Sequence, residues 1–404
     1  MIIGRGFLLG VVAAACLSLP AAAQTEPIRI GFLSVRTGPL AAGGRQMEEG
    51  INLLLKQRNN MLAGRKAVLI IADTGGQPAQ AKTRAQELIE REKVDVIIGP
   101  LATFEALALD DYIRSTGVPL ITPTSAAQND LAQQKKNDYV QPTHVLGEFA
   151  AKKLGLKRVA TIADDFTYGH EGAAGFHHTF EDAGGKIVQK LWPPLNVPDY
   201  GSYLGDLKPD VDGLYAGFAG TNGLRFMRQL AEYGLKEKLK VLGNPTCVDE
   251  GILKNMGDEA IGVYSASWYS AALDTPDNKK FVDAMQKEYG VVPGFYTVGT
   301  YTAGLFLEQA LKTIQGKFED KKAFVKALHA VKLTEGPIGP ISLDEYGKPI
   351  LNIYVRKVER KNGKLVNSIV ETVSGVGQFY HYDAKQFLAA PQYSRDVPVA
   401  KNLE

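Results

Sequence analysis

Val94-Asp95-Val96-Ile97-Ile98-Gly99-Pro100-Leu101-Ala102-Thr103-Phe104, followed by Gly117-Val118-Pro119-Leu120-Ile121-Thr122-Pro123-Thr124-Ser125-Ala126, decides the fold. In each half a short apolar run stops at small and hydroxylated residues. Residues 94–98 read as a strand buried on both faces, and from Thr103 the positions Ala106, Leu109 and Ile113 keep helical spacing. Residues 118–121 read as a second strand, with Pro123 ahead of Thr124 and Ser125, both good N-cap residues. Two helix N-termini are therefore expected side by side at the carboxyl edge of one parallel sheet. Their free N–H groups and dipoles suit a small anion such as a carboxylate. The plainer alternative is a pair of ordinary strand-to-helix turns capped by Ser and Thr.

Outward from this stretch the alternation continues. Residues 28–33 alternate like a strand and end in the turn cluster Ser34-Val35-Arg36-Thr37-Gly38-Pro39, after which Met47, Ile51, Leu54 and Leu55 mark a helix. Residues 68–72 form the next strand, and Pro78 opens a helix through Ala81, Ala85 and Leu88. Four strands alternating with helices predict an α/β sheet with parallel order. The same rhythm resumes with strands at 159–163, 187–191, 213–216 and 241–243. Between them lie the loop Asp164-Asp165-Phe166-Thr167-Tyr168-Gly169, the helix stop Gly184-Gly185, and a helix over Leu224, Met227 and Leu230. Two sheets, each presenting its turns at one edge, place a ligand crevice between them. Helices over 281–289, 300–314 and 321–331 return to the first lobe, and two alternating strands flank the hairpin signal Asn362-Gly363. The first lobe is thus read as 24–139 plus 269–340 and the second as 143–264 plus 350–390. Crossings fall near 139–143, 264–269 and 338–350, and several crossings at one edge make a hinge.

Composition narrows the function classes. The chain has 404 residues, 45% of them hydrophobic, which is enough for two packed lobes. A formal net charge of +2 with 22% charged residues leaves no basic stripe for nucleic acid and no acidic tail. Arg5, an apolar run from Phe7 to Leu19, Pro20 and Ala21-Ala22-Ala23 have the layout of a secretory signal peptide cleaved after Ala23. Cys16 falls inside that segment, where a lipoprotein acylation box is the alternative. Cys247 is then the one mature thiol, read as a small buried side chain. The Gly43-Gly44 and Gly75-Gly76 pairs match neither a dinucleotide fingerprint nor a P-loop, so no cofactor is expected.

Taken together, the segments resemble the periplasmic type I substrate-binding proteins, the family of the leucine/isoleucine/valine-binding proteins that feed ATP-driven importers. The resemblance covers nearly all of the mature chain. It rests on Ile30-Gly31-Phe32-Leu33 with Thr37-Gly38-Pro39, Val96-Ile97-Ile98-Gly99-Pro100, Val118-Pro119-Leu120-Ile121-Thr122-Pro123, Asp165-Phe166-Thr167-Tyr168-Gly169, Ala183-Gly184-Gly185 and Pro209-Asp210-Val211-Asp212-Gly213. It implies two flavodoxin-like lobes with parallel-rich sheets, a three-crossing hinge, and a ligand closed between the lobes. By position, Thr103, Ser125 and Ala126 correspond to residues whose N–H and hydroxyl groups hold the ligand carboxylate, and the adjacent Phe104 and Thr124 are further candidate binding residues. Tyr168 and Phe218 correspond to cleft residues of the second lobe, and Tyr296 to an aromatic lining the pocket from the first. The first crossing, Tyr139 to His144, is several residues shorter than usual. Where amino-acid binders carry an acid for the ligand ammonium, this chain has Asn244-Pro245-Thr246, with Asp249 the first acid beyond. An unpaired buried ammonium costs several kcal/mol, which disfavours an α-amino acid. The stretch from Tyr168 through Tyr301 is most similar to the branch associated with aromatic acids.

Energetics agree. A sheltered helix N-terminus contributes about 2 kcal/mol at most to an anion. A buried ring removes about 150–250 Å² from water, on the order of 4–6 kcal/mol at roughly 25 cal/mol per Å² before the losses of freedom on binding. The ring would dominate affinity and the carboxylate would orient it. Phe104, Tyr168, Phe218, Trp268, Tyr269 and Tyr296 are candidate walls, with core packing the alternative for each. Arg36, in the turn after the first strand, is a candidate fork for the carboxylate, or else a solvated turn arginine. His170, His177 and His178 with Glu171 and Asp182 invite a metal reading, but the adjacent His177 and His178 point different ways on a helix, so surface histidines are the reading preferred. The acid pairs Asp110-Asp111 and Asp164-Asp165 lack any accompanying catalytic order. The expectation is a monomeric periplasmic binding protein, not an enzyme, that captures a small and preferably aromatic carboxylate for the membrane permease of an ABC importer. The alternatives are a branched-chain amino-acid binder, a ligand-sensing module for a receptor or regulator, and a hydrolase of aryl esters or amides.

Overall fold

A computed structural model describes Met1 and residues 26–122, 125–127 and 140–404. The expected signal segment with Cys16, the candidate Thr124 and its neighbour Pro123, Lys135-Lys136 and Tyr139 lie outside the described residues. The first lobe runs β1 (Ile28–Ser34), α1 (Ala41–Gln57), β2 (Met61–Leu62), β3 (Arg65–Asp73), α2 (Pro78–Gln86), β4 (Val96–Ile98), α3 (Thr103–Thr116), β5 (Leu120–Thr122) and β6 (Ser125–Ala127). Strands β3-β1-β4-β5 are parallel, with β2 and β6 antiparallel at the two edges. Val96, Ile97 and Ile98 are fully buried because helices cover both faces of the sheet.

The second lobe runs α4 (Val140–Lys152), β7 (Arg158–Ala163), α5 (Thr167–Asp182), β8 (Lys186–Leu191), α6 (Gly201–Gly205), β9 (Gly213–Gly217), α7 (Thr221–Glu232), β10 (Lys240–Gly243), α8 (Glu250–Leu253) and β11 (Tyr264–Ser267). The chain then returns to the first lobe as α9 (Pro276–Tyr289), α10 (Phe295–Thr313) and α11 (Lys321–His329). Helix α10 is fastened to α1: the Thr300 hydroxyl donates to the Met47 carbonyl at 2.7 Å, and Arg58 pairs with Glu308 at 3.0 Å. Strands β12 (Ile341–Leu343), β13 (Pro349–Lys361) and β14 (Lys364–Val376) complete the second sheet, and α12 (Ala384–Ala389) follows. That sheet has the order β12-β13-β11-β10-β9-β7-β8, with β14 on β13. Its five parallel strands, counted as they occur in the chain, lie in the order 2-1-3-4-5, and the first sheet gives 2-1-3-4. Both are the flavodoxin-like order.

Three readings need correction. No helix opens at Ser125. Residues 125–127 instead pair antiparallel with β5, Thr122 opposite Ser125, so the expected second N-terminus beside α3 is a strand edge. Second, residues 140–143, read as part of the first crossing, form the first turn of α4; Pro142 is its third residue, where the missing N–H would have had no partner in any case. Third, residues 341–343 already belong to the second sheet, so the last link between lobes is the span 330–340. The hairpin at Asn362-Gly363 is present, with φ of 51° and 77° at its two residues, the left-handed values that such a turn requires.

Candidate functional site

In a sheet of order 2-1-3-4-5 the crevice opens where the connections from strands 1 and 3 diverge. Those pairs here are β1 and β4 in the first lobe, and β7 and β9 in the second. The two crevices face each other across one cleft. It is lined by Leu40 from the turn after β1, by Leu101, Ala102 and Thr103 after β4, by Phe166 and Tyr168 after β7, and by Ala219 after β9. Phe295 and Tyr296, the first turn of α10, close the remaining side.

Tight turns bring these residues in. A Cβ at Gly44 in α1 would sit 1.8 Å from the Val35 carbonyl oxygen, and one at Gly169 in α5 would sit 2.0 Å from that of Asp164. Only glycine lets each helix fold back so closely on its own strand. In the second lobe the buried Asp164 carboxyl accepts the Ala219 N–H at 3.0 Å and the Asn222 amide at 2.7 Å, tying the turn after β7 to the turn after β9. Burial pushes that carboxyl up to about 7, against its two donors. The Tyr168 hydroxyl lies 3.1 Å from Thr246 Oγ1, which itself donates to the Phe218 carbonyl at 2.8 Å.

The polar end of the cleft is the start of α3. Thr103 is 4% exposed and its hydroxyl has no hydrogen-bond partner within the protein. The N–H groups of Thr103 and Phe104 belong to the first helical turn, where no preceding carbonyl is available. Glu105 follows in the same turn. Its carboxylate is turned back onto the Ala102 N–H at 3.1 Å, and burial holds its pKa above the ordinary carboxylate value, which weakens its repulsion of an incoming anion. Among the described residues no Asp or Glu lines the cleft.

The other sequence candidates separate clearly. Phe104 reaches across the lobes to Phe166, ring centroids 5.8 Å apart and edge to face. Phe218 is fully buried and packs on Tyr200 and Phe226 inside the second lobe; its neighbour Ala219 faces the cleft instead. Asn244 is buried beneath Thr246 and uses its side-chain oxygen to accept the Cys247 N–H at 2.9 Å. The guanidinium of Arg36 is already forked onto Glu48 of α1, with both contacts at 2.8 Å, and the side chain is half exposed. Ser125 and Ala126 lie on the edge strand β6. Trp268 packs tilted against Phe295, ring centroids 3.9 Å apart, and Tyr269 faces Phe281, so both support the wall rather than form it. Leu40, Leu101, Ala102, Phe166, Ala219 and Phe295 were not singled out from sequence. Apart from Phe295, which opens α10, their common signal is position in the turns beyond the strands that flank each crevice.

The histidines point apart, His177 toward Glu181 at 3.1 Å and His178 toward Tyr393 at 2.5 Å; among the described residues no group of three or more His, Cys, Asp or Glu could hold a metal ion. Asp110 is paired with Arg114 at 2.8 Å on the same helix. Cys247 is buried, and burial pushes its thiol up to about 12.

Comparison with known proteins agrees with this geometry. Residues 27–364 match the family model described as "Periplasmic binding protein". The Leu/Ile/Val-binding protein homolog 6 of Brucella melitensis is 28% identical over 388 residues, covering 91% of this chain and 97% of that protein. A solute binding protein of an ABC transporter from Rhodopseudomonas palustris, solved in complex with 3,4-dihydroxybenzoic acid, is 34% identical with a TM-score of 0.81, covering 87% of this chain and 98% of that one. Another from R. palustris, solved with benzoate, is 25% identical with a TM-score of 0.78, covering 86% and 98%.

Proposed function

Since this chain belongs to the periplasmic binding protein family, as a solute-binding component of an ABC transporter, we propose that its cleft captures a small aromatic carboxylate and hands it unchanged to a membrane permease. One observation carries the choice of ligand: among the described residues the cleft has aromatic walls from both lobes, a buried unpartnered hydroxyl at a helix N-terminus, and no carboxylate. A ring between Phe166, Tyr168, Phe295 and Tyr296 would lose most of its contact with water. The carboxylate would take the Thr103 hydroxyl and the first N–H groups of α3. An amino acid would bring an ammonium into a site with no anion to receive it. Solute-binding proteins that hold benzoates at 25–34% identity support the same reading.

Ligand that touches both lobes binds the closed form better than any open form and so drives closure. The Phe104–Phe166 contact across the cleft means that the lobes part to admit it. The test is thermal unfolding and calorimetric titration of the exported chain with benzoate, 4-hydroxybenzoate, cinnamate, leucine, isoleucine and valine. A benzoate at one hundred times its Kd should add about 2.7 kcal/mol of stability. A response to leucine, isoleucine and valine alone would overturn the aromatic reading in favour of the ligand class for which the Brucella relatives are named. Recovery of the bound acid unaltered after long incubation separates binding from turnover. Co-purification with a permease rather than a signalling receptor separates carrier from sensor.

A further inference from the structure

Asp249 is the acid nearest to the place where sequence comparison expected one, and it is 3% exposed. Its carboxylate does not enter the cleft. One oxygen accepts the Gly251 N–H at 2.9 Å, at the start of α8 in the second lobe. The other accepts the Phe295 N–H at 2.6 Å, at the start of α10 in the first lobe. Glycines make room on both sides of this seam. A Cβ at Gly294 would lie 2.2 Å from the Asp249 carboxylate, and one at Gly251 would lie 2.2 Å from the Gln46 amide of α1. Behind Asp249, Glu250 is held by the fully buried Arg356 of β13 at 3.3 Å, which also donates to the carbonyls of Tyr269 at 2.8 Å and Pro245 at 3.1 Å. A buried network thus runs from β13 through Glu250 and its neighbour Asp249 to the helix that carries Phe295 and Tyr296, and Arg356 ties in the link after β11 at the Tyr269 carbonyl. A carboxylate on a helix N-terminus is favourably placed.

We propose that Asp249 is the contact that latches the two lobes together: closure seats its carboxyl group on the Phe295 N–H, so the affinity for every cleft ligand depends on it although it touches none of them. The inference rests on ligand-driven closure but not on which ligand drives it. Around the carboxyl group stand Glu250 on α8, Arg356 on β13, the Tyr269 phenol after β11, the uncharged Gln46 on α1, and the N–H groups of Gly251 and Phe295. Burial first, and Glu250 second, push Asp249 up to about 7, while the two N–H groups and Arg356 oppose them. An open form that admits water returns the group toward its ordinary value near 3.8. Closure therefore takes up a proton between those two values, and ligand binding strengthens as the pH falls from about 7 toward about 4.

The test compares wild type, Asp249→Ala, Asp249→Asn and Gly294→Ala, with benzoate and 4-hydroxybenzoate as probes, and leucine if the wild type binds neither. Dissociation rates are measured by stopped flow, and proton uptake by calorimetry in buffers of different ionisation enthalpy. Lobe separation in the free protein is read by energy transfer between labels at Leu107→Cys and Tyr233→Cys, exposed positions on opposite lobes. Asp249→Ala should raise the dissociation rate about tenfold by the same factor for each probe, and should widen the free protein. Asp249→Asn keeps an oxygen for the Phe295 N–H, so it should retain affinity within a few-fold while losing the proton uptake. Gly294→Ala forces the same contact apart from the other lobe and should reproduce the faster dissociation even if Asp249→Ala does not fold. Unchanged rates and separation in Asp249→Ala or Gly294→Ala overturn the proposal. So does a loss that differs between probes, which would put Asp249 in contact with the ligand. A wild type that binds leucine and no benzoate, yet shows the same Asp249 effects, would leave the latch standing and remove the aromatic reading alone.

Discussion

Thr103→Val offers the sharpest separation of binding from stability. Valine keeps the shape and the β-branch and deletes only the hydroxyl, which is buried and without a partner in the protein. A buried hydroxyl left unpaired costs roughly 1–3 kcal/mol, so its removal should leave the ligand-free protein as stable as wild type or up to about 2 kcal/mol more stable. In the proposed complex the same hydroxyl would donate to a carboxylate, and a hydrogen bond to a charged group contributes about 1.5–3 kcal/mol. The Kd for benzoate should therefore rise roughly 10- to 150-fold, at about 1.4 kcal/mol per factor of ten. Denaturant unfolding with and without ligand, beside calorimetric titration, reads both quantities in one preparation. Affinity should fall while the stability of the free form holds or rises. A variant that loses stability in the free form, or that binds benzoate as tightly as wild type, would show that the Thr103 hydroxyl faces something other than the ligand.

Four further outcomes follow from the packing and the charges. Gly44→Ala, normally a gain of about 1 kcal/mol inside a helix, should destabilise by at least about 3 kcal/mol, because its Cβ would fall 1.8 Å from the Val35 carbonyl; equilibrium unfolding in urea measures it. Arg36→Gln should change benzoate affinity less than twofold and stability by less than about 1 kcal/mol, since Glu48 already occupies the half-exposed guanidinium; a tenfold loss by titration would return Arg36 to the site. Phe166→Ala should weaken benzoate binding by about tenfold or more while leaving the fold intact, read by titration alongside circular dichroism. His144 is fully buried, and burial holds it down to about 3, below its ordinary 6.5. Its protonation therefore favours the unfolded chain. The stability it confers is complete above about 6.5 and is lost by about 1.4 kcal/mol per pH unit as the pH falls toward about 3. His144→Gln should flatten that part of the acid unfolding curve, and an unchanged slope would refute the assignment.

The alternation of strands and helices was legible because parallel strands buried on both faces appear as unbroken apolar runs such as Val96-Ile97-Ile98. What escaped was short or locally ambiguous. Strand β6 has three residues and no periodicity to read, and the hydroxyl-rich sequence before it is equally good at starting a helix. Residues 140–143 were placed in the first crossing, yet they open α4, since proline in a first helical turn is harmless. At the site, Thr103, Tyr168 and Tyr296, which line the cleft, were picked out by their correspondence to positions of the resembled family. Phe218 and Ala219 show the limit: consecutive residues leaving a strand face opposite ways, and only the fold tells which of the two looks into the cleft. Phe295 and Leu101 were missed for the same reason, since an apolar side chain at a helix start carries no mark of what it covers. Arg36 had the right chemistry but a nearer acid claimed it.

The matching strand order of the two lobes makes the cleft a near-duplicate of itself. Leu40 and Leu101–Thr103 on one side are answered by Phe166–Tyr168 and Ala219 on the other, each set issuing from the first and third parallel strands of its own sheet. The two halves of the recognition surface can therefore diverge separately. The half that carries the α3 N-terminus can stay committed to one functional group, while replacements at Phe166 or Ala219 retune the accepted ring without disturbing the opposite scaffold. Repertoires of new guests are best sought there, by mosaic libraries that vary one half at a time.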